Sequence, residues 1–300
     1  MKELGKPQSD SDVVNSQPRV LLIGYGWVGQ FMGKYFTEGH YVTSEKVIRR
    51  VSDNEVVSPG EMPKHYNLAI IGTPTPQNVS IGKCDISIVE EAVATYASMV
   101  EIFLCKSTVE IGTCDYLSEK YGKPVCMSPE YVGETLGHKL TEPRKDAFQI
   151  VGGPREAREQ VADMFMKVLH ADAYIHLVET KEAELIKYAE NYWITRVVDY
   201  WNDIKSLVDA IGGSFQDVRN GICLDPRMNR THSNVYDDNR GWSGKCLPKD
   251  MNALAYFART HNVPLTTLEQ LIDKNADQWR KSYNNSQCLR PDEPIWENED

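Results

Sequence analysis

The stretch "RVLLIGYGWVGQFMGKYF", beginning at Arg19, constrains the chain more than any other. Consecutive apolar residues predict a buried strand, the glycines a tight turn, and the apolar spacing beyond them a helix. Gly24, Gly26 and Gly29 stand in the GxGxxG pattern at that junction, the context of a dinucleotide-binding fingerprint. There the first glycine makes the turn, the second lets a pyrophosphate approach the backbone, and the third packs helix on strand. Tyr25, Trp27 and Val28 complete the loop and are expected beside the same cofactor. A plain turn would explain three glycines alone; the strand and helix around them carry the expectation. The acid that bonds the ribose hydroxyls falls about 20 residues on, in "YVTSEKVIRR", where Glu45 is the carboxylate. Glu45 favours NAD, whereas Lys46, Arg49 and Arg50 beside it would suit the 2′-phosphate of NADP.

Further apolar runs follow in "YNLAIIGTPTP", "VEIFLCKSTV", "KPVCMSPEYV", "FQIVGG" and "AYIHLV", separated by helical segments such as "DISIVEEAVATYASMV" and "PREAREQVADMFMKVLH". Alternation of this kind predicts an α/β fold, a Rossmann-type doubly wound parallel sheet. In such a sheet ligands gather outside the carboxyl ends of the strands, which makes Thr73, Pro74 and Thr108 candidate cofactor contacts. From Glu179 the texture changes to one long helical pattern ending at Gly212 and Gly213, with shorter helices at "SFQDVRNGI", "KDMNALAYFARTH" and "TLEQLIDKNADQWRKSY". The expected organisation is a disordered leader at 1–17, a cofactor domain at 18–178, an all-helical domain on one central helix at 179–284, and a polar tail at 285–300.

Composition narrows the function classes. A net charge of −10 argues against nucleic acid and anionic membrane as partners. Seven scattered cysteines without a CxxC pair suggest neither a metal site nor a disulfide framework and fit the cytoplasm. No apolar run reads as a signal peptide or a span.

In "GWSGKCLPKD", Pro248 suits the first turn of a helix, which puts Cys246 near a helix N-terminus, where partial positive charge stabilises a thiolate. A buried structural thiol is the ordinary alternative. Asp250 lies one helical turn beyond Cys246. Lys187 and Asn191, four apart in the long helix, share a face with Glu184 a turn earlier.

Taken in order, "GTPTP", "KSTVEIGT", "SPEYVGE", "ELIKYAEN" and "GWSGKCLPKD" closely resemble the UDP-glucose/GDP-mannose dehydrogenase family, from about Arg19 to about Trp279. The resemblance implies oxidation of the C6 alcohol of a nucleotide sugar to a carboxylate by two hydride transfers to NAD, through a cysteine-bound thiohemiacetal and thioester. Its "SPEYVGE" form points to UDP-glucose as substrate and UDP-glucuronate as product. The resemblance makes Cys246 the nucleophile, Lys187 and Asn191 the stabilisers of oxyanion charge, and Glu130 and Thr108 the holders of the hydrolytic water, with Glu130 or Asp250 moving protons. It places Tyr131, Val132, Arg227, Trp242 and Gly244 with the sugar nucleotide, Lys249 with the cofactor, and Glu134 beside the cofactor or substrate. Ordinary alternatives are capping for Thr108 and Asp250 and surface charge for the glutamates.

Three departures qualify the resemblance. The chain stops at Asp300, where family members continue into a third, nucleotide-binding domain. Ser243 and Gly244 stand where a double glycine is usual and Thr135 where a glycine is common. The segment between "VTSEK" and "YNLAII" is short, so the sheet looks trimmed after its second strand. Tyr192, Trp193, Tyr200 and Trp201 resemble the helix through which family members dimerise and predict a homodimer. A single-step NAD-dependent hydroxyacid dehydrogenase, which needs no cysteine, and a catalytically weak NAD- or sugar-nucleotide-binding subunit are the competing functions.

Overall fold

The computed structural model describes residues 18–58, 60–78, 81–131, 148–244 and 246–279. The expected leader, the expected tail and the candidates Val132 and Glu134 lie outside them. The described chain divides into two compact units. One takes in the chain up to Pro74, Ser87–Ser107 and Gly112–Glu184; the other takes in Thr75–Ile86, Thr108–Ile111 and the chain from Leu185. The division therefore falls inside a helix, and two loop segments group with the later unit.

The first unit is built on an eight-stranded sheet of β1 (Val20–Ile23), β2 (His40–Val42), β3 (Ile48–Arg50), β4 (Tyr66–Ile71), β5 (Val100–Cys105), β6 (Val125–Met127), β7 (Phe148–Gly152) and β8 (Tyr174–Val178), ordered β3-β2-β1-β4-β5-β6-β7-β8. The run β2-β1-β4-β5-β6 is parallel, as in a Rossmann-type sheet. Two pairings depart from parallel. β3 returns beside β2 as an antiparallel hairpin, and β6 pairs antiparallel with β7. The hairpin explains the short stretch after the second strand: a turn at Thr43–Val47, with Lys46 at φ +62°, replaces a helical crossover.

Side chains alternate across a strand, and both faces of this sheet are apolar. Val20, Leu22, Leu68, Ile70, Ile102 and Leu104 pack with Phe31 and Met32 of α1 (Trp27–Gly33) and with Ala157, Val161 and Phe165 of α4 (Arg155–Met166). The alternate residues Leu21, Ile23, Ala69, Ile71, Phe103 and Cys105 are buried as well. On β5 and β6 respectively lie α2 (Ser87–Tyr96) and α3 (Thr113–Tyr121). Burying each large apolar side chain contributes roughly 1.5–3 kcal/mol before entropy is counted.

The second unit is helical: α5 (Thr180–Ala210), which begins in the first unit, α6 (Phe215–Ile222), α7 (Leu247–Thr260) and α8 (Thr266–Lys274), with a π-helical turn at Asn275–Trp279. Tyr188 of α5, Met251 and Leu254 of α7, and Leu268 and Leu271 of α8 form its core together with Trp242. Among the described residues no helix is long and apolar enough to cross a membrane.

Glu184, in the part of α5 that belongs to the first unit, caps α3. The residue that caps α3 is Gly112, at φ +97°, which has no side chain to offer the first N–H groups. Glu184 supplies the cap from elsewhere: Oε2 accepts the Gly112 N–H at 2.5 Å and Oε1 the Cys114 N–H at 2.9 Å. Burial outweighs these donors and pushes the carboxyl up to about 7 from an ordinary 4.5. A folded state that holds this extra proton is favoured below pH 4.5 and loses that advantage as pH rises through 7. Glu184→Gln removes the titration. The stability difference between wild type and variant, measured by urea denaturation, is expected to move against the wild type by up to roughly 3 kcal/mol across that window, whereas a flat difference would show that Glu184 is ionised throughout.

Candidate active site

Cys246 is the residue that caps α7, with Pro248 in the first turn, and its thiol is exposed. Its carbonyl accepts the Asp250 N–H at 2.9 Å, so Asp250 sits one turn further along. Asp250 is only 1% exposed. A carboxylate there must be matched by donors, and both its oxygens are: Asn191 Nδ2 of α5 donates to Oδ2 at 2.5 Å and Lys249 Nζ to Oδ1 at 2.6 Å. For Lys249 burial works to lower the pKa, yet the Asp250 carboxylate and the thiols of Cys84 and Cys246 outweigh it and hold the ammonium above its ordinary range. A buried, persistent cation electrostatically coupled to Cys246 favours its thiolate, as does the helix N-terminus. Lys187, largely buried on α5, has its Nζ 3.6 Å from Glu190.

The loop before Cys246 is held by residues far away in sequence. Asn275 accepts the Trp242 N–H and donates to the Trp242 carbonyl, each at 3.0 Å. Asn202 Oδ1 accepts from the Gly241 N–H at 3.0 Å and from Arg240 Nε at 2.8 Å. Arg240 also reaches the Asn202 carbonyl and Ser206, and its guanidinium lies 4.6 Å over the Trp279 ring. Gly241 is at φ +73°, and a Cβ there would meet Trp279 Cβ at 2.5 Å, so glycine is required. Trp242 is 4% exposed and belongs to the helical core, where it anchors the loop. Gly244, at φ +92°, faces open space.

Thr108 and Cys84 belong to the same unit as Cys246. The Thr108 carbonyl accepts from Thr75 Oγ1 at 2.7 Å and from the buried Cys84 thiol at 3.4 Å. Cys84 is a second thiol electrostatically coupled to Lys249 and Asp250, and burial raises its pKa. Neither Cys84 nor the loop anchors Asn202, Arg240 and Asn275 stands out in the sequence. Polar residues flanking a Cys loop were the one available signal.

The first unit holds the glycine loop. Gly24 sits at φ +88° with its α-carbon against Gly72, where a Cβ would lie 2.7 Å from the Gly72 carbonyl oxygen. A Cβ on Gly26 would meet nothing within 4 Å, the open cradle that an approaching pyrophosphate needs. Nearby in sequence to β4, Thr73 Oγ1 is buried without a hydrogen-bond partner among the described residues. Tyr25 turns its ring onto Tyr41 at 3.7 Å, Trp27 is exposed, and Val28 packs on Gly72. Glu45 lies three residues past β2, its carboxyl lowered by the Ser44 hydroxyl and a backbone N–H. Its basic neighbours are engaged: Lys46 with Glu91, Arg50 with Asp53, and Arg49 with the Asn54 carbonyl. Glu130 follows β6, with Oε2 3.2 Å from Lys106 Nζ, and the Tyr131 ring packs on Phe148. Arg227 lies on an exposed loop of the second unit and is paired with Asp225.

Asp250→Ala leaves the buried Lys249 ammonium without its carboxylate, and is expected to cost about 3 kcal/mol of stability by chemical denaturation. A loss under about 0.5 kcal/mol, the size of a surface change, would mean the pair is solvated.

Residues 181–277 match the UDP-glucose/GDP-mannose dehydrogenase family, central domain. A UDP-glucose 6-dehydrogenase of Rhizobium meliloti is 27% identical over 71% of this chain and 51% of its own length. The chain spans about half the length of several of the curated relatives it matches. In fold it is similar to a UDP-glucose dehydrogenase from Pyrobaculum islandicum, at TM-score 0.70 and 21% identity over 87% of this chain and 68% of that one. It is also similar to a Mycobacterium tuberculosis 3-hydroxyisobutyrate dehydrogenase, at TM-score 0.66 and 14% identity over 87% of this chain and 93% of that one.

Proposed function

We propose that this chain, whose residues 181–277 match the central domain of the UDP-glucose/GDP-mannose dehydrogenase family, is an NAD-dependent nucleotide-sugar 6-dehydrogenase that converts UDP-glucose to UDP-glucuronate. The observation that carries the proposal is Cys246 at the start of α7, one turn from an Asp250 whose oxygens are held by Asn191 and Lys249. A single oxidation of an alcohol has no use for an activated thiol, whereas a four-electron oxidation to an acid needs a nucleophile to hold the aldehyde.

The open cradle at Gly26 and the unpartnered Thr73 hydroxyl fit a dinucleotide. NAD supplies the hydride acceptor for both oxidations. The occupied cations around Glu45 favour NAD over NADP. The Cys246 thiolate adds to the C6 aldehyde, and Lys187 and Asn191 stabilise the negative oxygen that forms. Loss of a second hydride leaves a thioester, which water hydrolyses with Glu130 accepting the proton and Cys246 leaving as thiolate. Asp250, fixed by its two donors, relays the proton of the first oxidation.

Cys246→Ser is expected to abolish acid formation from UDP-glucose and NAD, with aldehyde retained on the protein. Unchanged acid production would sink the thioester route. Titration calorimetry is expected to show NAD binding at least about ten-fold tighter than NADP, a discrimination of about 1.4 kcal/mol; equal affinities would remove Glu45 from the cofactor site.

We also propose a homodimer through α5. Leu185, Trp193, Tyr200 and Leu207 are exposed at spacings of eight, seven and seven, an apolar seam of heptad type. An antiparallel second copy centred on Tyr200 would set Trp193 against Leu207, the self-complementary pairing of a two-fold interface. Sedimentation should report a dimer for the wild type and a monomer for Trp193→Glu/Leu207→Glu. A dimer that survives both substitutions would place the interface elsewhere.

A further inference from the structure

β5 ends at Cys105, and the next residue, Lys106, is a lysine 2% exposed. Its ammonium donates to Gln149 Oε1 at 3.0 Å and to Ser128 Oγ at 3.2 Å, and Glu130 Oε2 lies 3.2 Å away as its ion-pair partner. Gln149 belongs to β7, and Ser128 directly follows β6. Two neighbouring strands therefore supply the partners of the cation, and Glu130 is the one acid among them. Burying an ammonium without an acid beside it is costly, and the Glu130 carboxyl is the acid that stands against Lys106. The second oxygen of that carboxyl, Oε1, accepts the Tyr131 N–H at 2.8 Å. With one oxygen on the ammonium and the other on the backbone, the Glu130 carboxyl is fixed in rotation.

Resting on the assignment of Glu130 to the hydrolytic water, we propose that Lys106 is the positioning residue of that step, holding the Glu130 carboxyl in the orientation in which it accepts the water's proton. In the step the water oxygen bonds to the thioester carbon, the carbon–sulfur bond breaks, and Cys246 leaves as thiolate. The proton released by water goes to Glu130. Lys106 touches neither substrate nor cofactor and plays no part in the two hydride transfers, so its loss is felt after them.

The test uses the full chain with UDP-glucose and NAD in rapid mixing, followed by intact-mass measurement. Lys106→Met is expected to form two NADH per Cys246 in the first turnover at close to the wild-type rate. Steady turnover then falls at least about ten-fold, less than the roughly 10²–10⁴-fold that a lost general base costs because Glu130 itself remains, while a covalent adduct accumulates on Cys246. Lys106→Arg, which restores the charge, is expected to recover part of the turnover. Turnover of Lys106→Met within two-fold of wild type, or an equal slowing of the first turnover with no adduct, would overturn the proposal in favour of a purely structural lysine. Should Lys106→Met not fold, Gln149→Met decides, because it loosens the ammonium and leaves both charges in place: adduct accumulation supports the role and unchanged kinetics overturns it. Glu130→Gln separates this role from the assignment beneath it. Its turnover at the wild-type rate would overturn Glu130 as the base, and Lys106 with it, whereas adduct in Glu130→Gln but not in the Lys106 or Gln149 variants would overturn Lys106 alone.

Discussion

A carboxylate buried to 1% exposure has to be surrounded by donors, and the donors available to Asp250 fix how two helices of the second unit are placed. Asn191 comes from the long helix and Lys249 from the turn that Asp250 itself occupies. The Asn191 bond joins the start of α7 to α5, and Lys249 balances the Asp250 charge from within α7. Cys246, one turn before Asp250, inherits that position. The hydrogen bonds from Asn202 and Asn275 hold the preceding loop from the other side. The proposed nucleophile is thereby presented by a helix start held from both sides rather than by a free loop, which is what a covalent intermediate of defined geometry would demand.

The first unit applies the same logic to different chemistry. Its parallel strands end in polar residues that the sheet interior has to satisfy: Ser107 donates to the Thr73 carbonyl, and Lys106 gathers Ser128, Gln149 and Glu130. The glycine loop closes over Gly72 because neither Gly24 nor Gly72 carries a side chain. Glu184 completes a helix whose own capping residue is a glycine. Each of these groups is costly alone and stable only in company, so the polar ends of the strands are the least replaceable part of the unit.

Much of this was legible in the sequence where the signal is local. The strand–turn–helix at Gly24 to Gly29, the long helix from Thr180 and the helix start at Cys246 follow from spacing, because apolar period and glycine placement act over a few residues. The β2–β3 hairpin was less visible: β3 is three half-buried residues of an edge, too short and too polar to read as a strand. Partnerships at long range were not legible. Asn275 meets Trp242 from 33 residues away and Asn202 meets Gly241 from 39, and nothing in either stretch announces the other. Trp242 packs in the helical core, which its own stretch of sequence does not announce. Thr75–Ile86 and Thr108–Ile111 group with the helical unit although the strands before them belong to the other. A division into contiguous stretches cannot anticipate that.

The account turns on Cys246 holding the aldehyde through a second oxidation, and the stoichiometry of the reaction tests this most directly. With UDP-glucose limiting and NAD in excess, NADH by absorbance and the sugar product by mass spectrometry should stand at two NADH for each UDP-glucuronate, with no free aldehyde. One NADH for each molecule oxidised, with the product stopping at the carbonyl, would contradict it.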